Sequence, residues 1–307
     1  MKFGTVSIIG RPNVGKSSLI NALLKTNAVI ISPKPQTTRN SIRCIYNDEN
    51  AQIIFTDTPG LYKVTNPKDK LGIFLNAEIL SAIDDSDVVL WLVDAAMKKL
   101  QPDDYEIADA LKILPASIPV ILAANKSDKA DPAGAFKIYE KLRKFDAEVS
   151  ISAKSKRGLE NLISVLLPFI PEGEALYDPE ILMDTTEKFM ASEIIREKIL
   201  MSLHDEVPHC VAVEIEEYKS PDEYPESPNG KARKKLYIRA SLITETEGQK
   251  KILIGSKGLM IKKIGQLSRK SLEEVTGFEV FLDLWVKTVP GWRKNQAALK
   301  RLGYFVD

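Results

Sequence analysis

The eight residues "GRPNVGKS" (10–17) restrict what this chain can fold into more than any other stretch. They sit between an apolar, β-branched run, "TVSIIG" (5–10), and "SLINALLK" (18–25), where Leu19, Ile20, Leu23 and Leu24 recur at helical spacing. Strand, glycine turn and helix in that order predict a phosphate-binding loop. Gly10 and Gly15 let backbone N–H groups curl around phosphates, Lys16 reaches the outer phosphates, and the Ser17 hydroxyl suits Mg²⁺. Arg11, Pro12, Asn13, Val14 and Ser18 complete the cradle.

Three later segments follow in an order that fits one nucleotide. "AQIIFTDTPG" (51–60) reads as a buried strand ending in Asp57, Thr58, Pro59 and Gly60. Asp57 is placed to hold Mg²⁺ and the Gly60 N–H to sense the last phosphate, with Leu61 next along the same loop. "PVILAANKSD" (119–128) is a second strand, ending in Asn125, Lys126 and Asp128. Guanine presents N1–H and an exocyclic amine, and one carboxylate accepts both; adenine lacks that donor pair, so Asp128 selects guanine. "VSISAK" (149–154) ends in Ser152, Ala153 and Lys154, where a backbone N–H reaches guanine O6. The polar stretch "ISPKPQTTRNSIR" (31–43) occupies the place of a switch loop, and Thr38, in preference to Thr37, is expected to close on Mg²⁺.

With "VVLWLVDA" (88–95) and a helix over 135–145, the first 170 residues alternate strand and helix. The expected fold class is α/β, a doubly wound P-loop domain over 1–170 with its ligand at the C-terminal strand ends, then a smaller α+β domain. "PFIPEGEALYDPE" (168–180) contains three prolines and four acidic residues and reads as a linker, placed at 171–180.

Charge separates the two halves. The formal net charge is only +1, but residues 1–170 carry 22 basic and 19 acidic side chains, 171–246 carry 9 and 17, and 247–307 carry 12 and 6. Between Gly248 and Leu272 lie seven basic side chains and no acidic one, which suits a polyanion. No run of about 18 apolar residues is present to span a membrane, and Cys44 and Cys210 are too few and too far apart for a disulfide scaffold or a cysteine zinc site. A cytosolic protein is expected.

The second domain reads as a helix over 180–204, with Ile194, Ile195, Lys198, Ile199 and Met201 on its rows, then strands 211–218 and 235–244 around a Pro-rich loop expected to be mobile. A short helix, "GSKG" (255–258), a longer helix and a strand over 279–287 follow. That order matches a KH module of the second topology, whose GxxG turn clamps single-stranded RNA. Gly255 and Gly258 allow a sugar-phosphate chain to approach the backbone, with Ser256 and Lys257 between them. On the following helix Ile261, Ile264, Leu272 and Val275 fall on one side, and Lys262, Lys263, Arg269 and Lys270 on the other.

The asparagine in the phosphate loop, "QTTR", "DTPG", "NKSD" and "SAK", with "FMASEIIREKILMSLHDEVPHCVAVEIEEY" (189–218) and "LWVKTVPGWRKNQAALKRLGY" (284–304), resemble the Era family of GTPases over nearly the whole chain. No second set of G motifs marks the tandem Der type. The resemblance implies a monomeric GTP hydrolase using GTP/GDP and Mg²⁺. It further implies binding to the 3′ end of 16S ribosomal RNA, assistance to 30S subunit assembly and loose association with the inner face of the cytoplasmic membrane. Lys287, Trp292 and Arg293 are further candidates for RNA contact; the alternative for Trp292 is a plug beneath the last helix. One departure from Ras-like switches concerns catalysis: Leu61 stands where a glutamine orients water, so slow intrinsic hydrolysis is expected. Lys16, Thr38 and Gly60 are the remaining catalytic candidates, and the resemblance gives Asn13 a role in holding K⁺ against the phosphates. A competing class is an RNA chaperone that senses guanine nucleotide with little turnover.

Overall fold

The computed structural model of the chain describes residues 1–26, 29–32, 34, 37–60, 69–112, 114–115, 117–223 and 235–304. It divides into two compact units, Met1–Asp184 and a second that begins at Thr185. Leu61 and residues 224–234 of the Pro-rich loop lie outside the described residues.

The first unit alternates β1 (Lys2–Ile9), α1 (Lys16–Leu24), β2 (Ile42–Asn47), β3 (Ala51–Asp57), α2 (Lys70–Asp84), β4 (Val88–Asp94), α3 (Pro102–Leu111), β5 (Val120–Asn125), α4 (Ala133–Tyr139), β6 (Ala147–Ser150), α5 (Leu159–Leu166) and the short β7 (Met183–Asp184). The sheet order is β6-β5-β4-β1-β3-β2-β7. Strands β6 to β3 run parallel, and β2 and β7 add antiparallel edges. β1 lies between β4 and β3, so the chain winds first to one side of it and then to the other. That is the switch point where an α/β sheet opens a crevice. Buried on both faces, β4 and β5 carry unbroken apolar runs over Val88–Val93 and Val120–Ala124 rather than alternating ones, and β3 carries one over Ile53–Phe55.

Two expected helices are shorter in the structure. The helix expected over 135–145 spans only Ala133–Tyr139, and Phe145 beyond it packs edge-on against Trp91, ring centroids 5.8 Å apart. The helix expected from 180 begins at Glu187, capped by Thr186, whose hydroxyl accepts from the Phe189 N–H. The residues before it are held by the first unit's sheet. Buried Gln52 accepts from the Leu176 and Tyr177 N–H groups at 2.7 and 2.9 Å and donates to the Tyr177 carbonyl at 2.8 Å. β7 then pairs with Arg43 and Cys44 of β2. Backbone groups satisfied by a sheet edge are not available to start a helix.

The second unit contains α6 (Glu187–Ser202), β8 (Ala212–Lys219), β9 (Lys235–Thr244), α7 (Glu247–Ile254), α8 (Leu259–Thr276), β10 (Glu279–Thr288) and α9 (Gln296–Arg301). Its sheet has the order β10-β9-β8, with β8 antiparallel and β10 parallel to β9. Ile195 and Ile199 of α6, Leu253 of α7, and Ile264 and Leu272 of α8 form one core with Leu236, Ile238 and Val280. α6 also buries Arg196 and Glu193, which neutralise one another one turn apart, while Met201 on the same helix is 50% exposed. Val275, expected to pack beside Ile264, is 46% exposed in the last turn before Gly277 caps the helix. Trp292 is the plug: it is fully buried, donates Nε1–H to the Cys210 carbonyl at 3.1 Å and stacks on Tyr304. Burial removes it from the RNA candidates. Both cysteines are buried thiols.

Candidate nucleotide-binding site and nucleic-acid interface

The loop that leaves β1 folds as it does because two of its positions have no room for a Cβ. A Cβ on Gly10 would lie 2.3 Å from the Leu92 carbonyl oxygen, and one on Gly15 would lie 2.4 Å from Asn125 Nδ2; both glycines have positive φ. The Lys16 ammonium turns back onto its own loop, donating to the Gly10 and Arg11 carbonyls at 2.8 and 3.2 Å. Burial pushes Lys16 down to about 8, against the opposing pull of Asp57.

Behind the loop three oxygens converge. Ser17 Oγ donates to Asp57 Oδ2 at 2.7 Å, Thr38 Oγ1 donates to the same oxygen at 3.1 Å, and the two hydroxyls are 3.3 Å apart. Thr37 instead donates to the Lys34 carbonyl at 2.8 Å, so Thr38 is the threonine brought to the carboxylate. An all-oxygen set with a fully buried carboxylate suits a hard divalent cation such as Mg²⁺. Thr58 is buried and donates to the Ile8 carbonyl at 2.7 Å, Pro59 is buried beside it, and a Cβ on Gly60 would meet Pro12 at 2.9 Å.

Asn125 joins the loops. Its Nδ2 donates to the Val14 carbonyl at 2.8 Å, and its Oδ1 accepts from the Lys126 and Ala153 N–H groups at 2.8 and 3.0 Å. Lys126 has a left-handed backbone, φ 67°, and its ammonium bridges the Asn13 carbonyl at 2.9 Å and Asp94 Oδ2 at 2.8 Å. Asp128 is exposed, and a hydrogen bond from Ser152 Oγ at 2.6 Å holds its carboxyl below the usual carboxylate range.

Together these loops enclose a cleft of about 840 Å³, within the range of small-molecule sites. Pro12, Asn13, Gly15, Lys16, Ser17, Ser18, Thr38, Gly60, Asn125, Lys126, Asp128, Ala153 and Lys154 line it. Gly10, Arg11, Val14, Asp57, Thr58, Pro59 and Ser152 are not among its lining residues. Lys25, Lys34, Lys129 and Lys156 also line it, which no motif announces. Two supporting acids escaped the sequence reading as well. Asp94 holds Lys126, and buried Asp104 accepts from Tyr139 OH at 2.7 Å and lies 3.5 Å from Arg11 Nη1. Asp94 lay inside the stretch read as the strand 88–95, and nothing in the sequence marked Asp104.

In the second unit the GSKG turn joins α7 to α8, with positive φ at Gly255, Lys257 and Gly258. The two glycines serve different ends. A Cβ on Gly255 would strike Met260 at 2.7 Å, so that glycine is required by internal packing; one on Gly258 would meet only Ile261 Cγ2, at 4.0 Å. The outer side of Gly258, at the N-terminus of an 18-residue helix with no acidic residue in its first turn, is open to an approaching backbone. Ser256, Lys257, Lys262, Lys263, Arg269 and Lys270 are exposed on this turn and helix. Lys287 is not brought to them. It lies on the sheet face opposite the core-packed Leu284 and Val286, and its ammonium is paired with Glu216.

Comparison with known proteins follows the same division. Residues 5–126 match the family described as 50S ribosome-binding GTPase, and residues 206–293 match the KH domain family. The chain is 43% identical over 308 residues to GTPase Era of Caldanaerobacter subterraneus, covering 99% of this chain and 98% of that protein. It is 40% identical over 306 residues to GTPase Era of Halothermothrix orenii, with the same coverage. Among solved structures, a single-substitution variant of Aquifex aeolicus Era bound to GDP·AlF₄⁻ superposes with a TM-score of 0.90 at 38% identity, over 100% of both chains. Era in complex with MgGDPNP and nucleotides 1506–1542 of 16S ribosomal RNA gives 0.89 at 38% identity, again over 100% of both.

Proposed function

This chain belongs to the Era family of GTPases, and on that premise we propose that it couples GTP hydrolysis in the first unit to binding of the 3′ end of 16S ribosomal RNA at the GSKG turn. One observation carries the reading. Ser17 and Thr38, which line the cleft, both meet the buried Asp57 carboxylate behind it, and Asp128 lines the same cleft, in a chain whose second unit opens Gly258 at the head of a basic helix.

The residues divide the work. Backbone N–H groups from Asn13 to Ser18 and the Lys16 ammonium bind the phosphates, Lys16 exchanging its loop carbonyls for phosphate oxygens. Ser17, Thr38 and Asp57 would hold Mg²⁺, which neutralises the charge shared by the last two phosphates. Asp128 accepts from the guanine edge, Lys154 offers its backbone N–H towards O6 while the Ala153 N–H is held by Asn125, and Asn125 keeps the base-reading and phosphate-reading loops in register. The Gly60 N–H reports the last phosphate. Asn13, exposed at the cleft, is the residue to hold K⁺. At the GSKG turn the phosphates of RNA lie against Gly258, while Lys257, Lys262, Lys263, Arg269 and Lys270 supply counter-charge.

The 3′ end of 16S RNA belongs to the small subunit, so the place of action is assembly of the 30S particle in the cytoplasm, with the protein working as a monomer. No described helix is long and apolar enough to cross a membrane. Peripheral membrane contact would use the same basic helix and compete with RNA. The testing experiment is crosslinking of RNA to the full-length protein in cell extract. Recovery of 16S 3′-end sequence on the peptide 251–265 is expected; crosslinks confined to other peptides would overturn the RNA assignment.

A further inference from the structure

Thr38 reaches Asp57 only if the chain that follows it is held in place, and the structure shows what holds it. Three residues after Thr38, the Ser41 N–H donates to Glu78 Oε2 at 2.8 Å, and Ser41 Oγ donates to the Glu78 carbonyl at 3.4 Å. Glu78 belongs to α2, the helix that follows the Asp57–Gly60 loop in sequence. The next residue, Ile42, begins β2 and is the register partner of Asp57 itself. The segment leaving Thr38 is therefore fixed at two consecutive residues: Ser41 to α2 and Ile42 to the strand that ends in the metal-binding carboxylate.

α2 is a firm support for this contact. Leu71, Phe74, Leu75, Ile79 and Ile83 are buried, and Asp69 caps the helix by accepting from the Gly72 N–H at 3.3 Å. Glu78 stands beside that buried row and is itself half-buried. It is not among the residues that line the cleft.

We propose that Glu78 is a positioning residue for GTP binding: by clamping Ser41 to α2 it sets Thr38 against Ser17 and Asp57, and so favours the triphosphate state over the diphosphate state. The proposal rests on the reading of Thr38 as the switch threonine. Because that threonine engages Mg²⁺ only in the triphosphate state, loss of the clamp lowers affinity for a non-hydrolysable GTP analogue and leaves GDP affinity unchanged. The clamp needs an acceptor, not a charge, since Ser41 presents a backbone N–H.

The test measures affinities of GDPNP and GDP, in Mg²⁺, for the full chain and for Glu78→Ala, Glu78→Gln, Thr38→Ala and the Thr38→Ala/Glu78→Ala double variant. Thr38→Ala and Glu78→Ala are each expected to lower the GDPNP-to-GDP affinity ratio on the order of tenfold. Glu78→Gln should retain the wild-type ratio because its amide oxygen still accepts. In the Thr38→Ala background, removing Glu78 should have no further effect. Equal losses for both nucleotides in Glu78→Ala would overturn the proposal, as would a full additional loss in the double variant. If Thr38→Ala lowers the ratio and Glu78→Ala does not, the clamp alone fails. If Thr38→Ala leaves the ratio unchanged, the reading of Thr38 fails and takes the proposal with it.

Discussion

The Ser152 hydroxyl donates to Asp128 Oδ1 at 2.6 Å, so the carboxylate proposed to read guanine is fixed by the loop that carries Ala153 and Lys154. That bond also keeps Asp128 ionised below the usual carboxylate range. Asp128→Asn replaces one acceptor by a donor facing guanine's donor edge. GTP affinity should fall by an order of magnitude or more as charged hydrogen bonds are lost, and xanthine nucleotides should gain. Titration with GDP and XDP checks this, and continued preference for GDP would refute the assignment.

Lys16 gives a pH dependence with a definite sign. In the ligand-free protein it titrates near 8, below its ordinary 10.5, and bound phosphates raise it again. GTP affinity should therefore be constant below about pH 8 and decline as pH rises through it, by up to about tenfold per unit, until the bound-state pKa is passed. Stability of the ligand-free fold should move oppositely. The unfolded chain holds the Lys16 proton more tightly, so the penalty is full below 8 and disappears as pH rises towards 10.5. Nucleotide titrations and thermal melts from about pH 7 to about pH 10 test both signs.

The GSKG glycines should respond differently to substitution. Gly258→Asp places a negative side chain in open space where phosphate is expected, so RNA binding should be lost; because Gly258 has a left-handed backbone, φ 77°, the substitution also costs about 1 kcal/mol and lowers the melting temperature modestly. Gly255→Ala drives a Cβ into Met260 and should lower the melting temperature without creating any charge repulsion. A Gly258→Asp protein that still binds RNA normally would remove this turn from the interface.

Potassium should accelerate single-turnover hydrolysis relative to sodium, and Asn13→Ala should abolish the difference. Equal wild-type rates in KCl and NaCl would exclude a role for the ion.

The sequence displayed chemistry more fully than support. Lys16, Asp57, Asn125 and Asp128 were legible because backbone turns and ligand contacts demand those residue types at fixed spacings. The basic side of α8 was legible because helical periodicity separates it from Ile264 and Leu272. Asp94, Asp104 and Glu78 were not, since acids that hold other residues in place look like ordinary surface charges until the fold brings them together. Lys287 and Trp292 lie in a stretch rich in basic and aromatic residues, but strand alternation turns Lys287 to the face opposite the core, and packing buries Trp292. The pairing of β7 with β2 was hidden because two residues leave almost no periodic signal.

The measurement closest to the central claim is a titration of a single-stranded oligonucleotide from the 16S 3′ end into GDPNP-loaded protein. It would be run beside a scrambled oligonucleotide and the Gly258→Asp variant, at two salt concentrations. The account predicts tight binding of the 3′-end sequence, weaker binding of the scrambled one, affinity that falls with salt as phosphate contacts require, and no binding by Gly258→Asp. Equal affinity for both oligonucleotides, or undiminished binding by the variant, would contradict it.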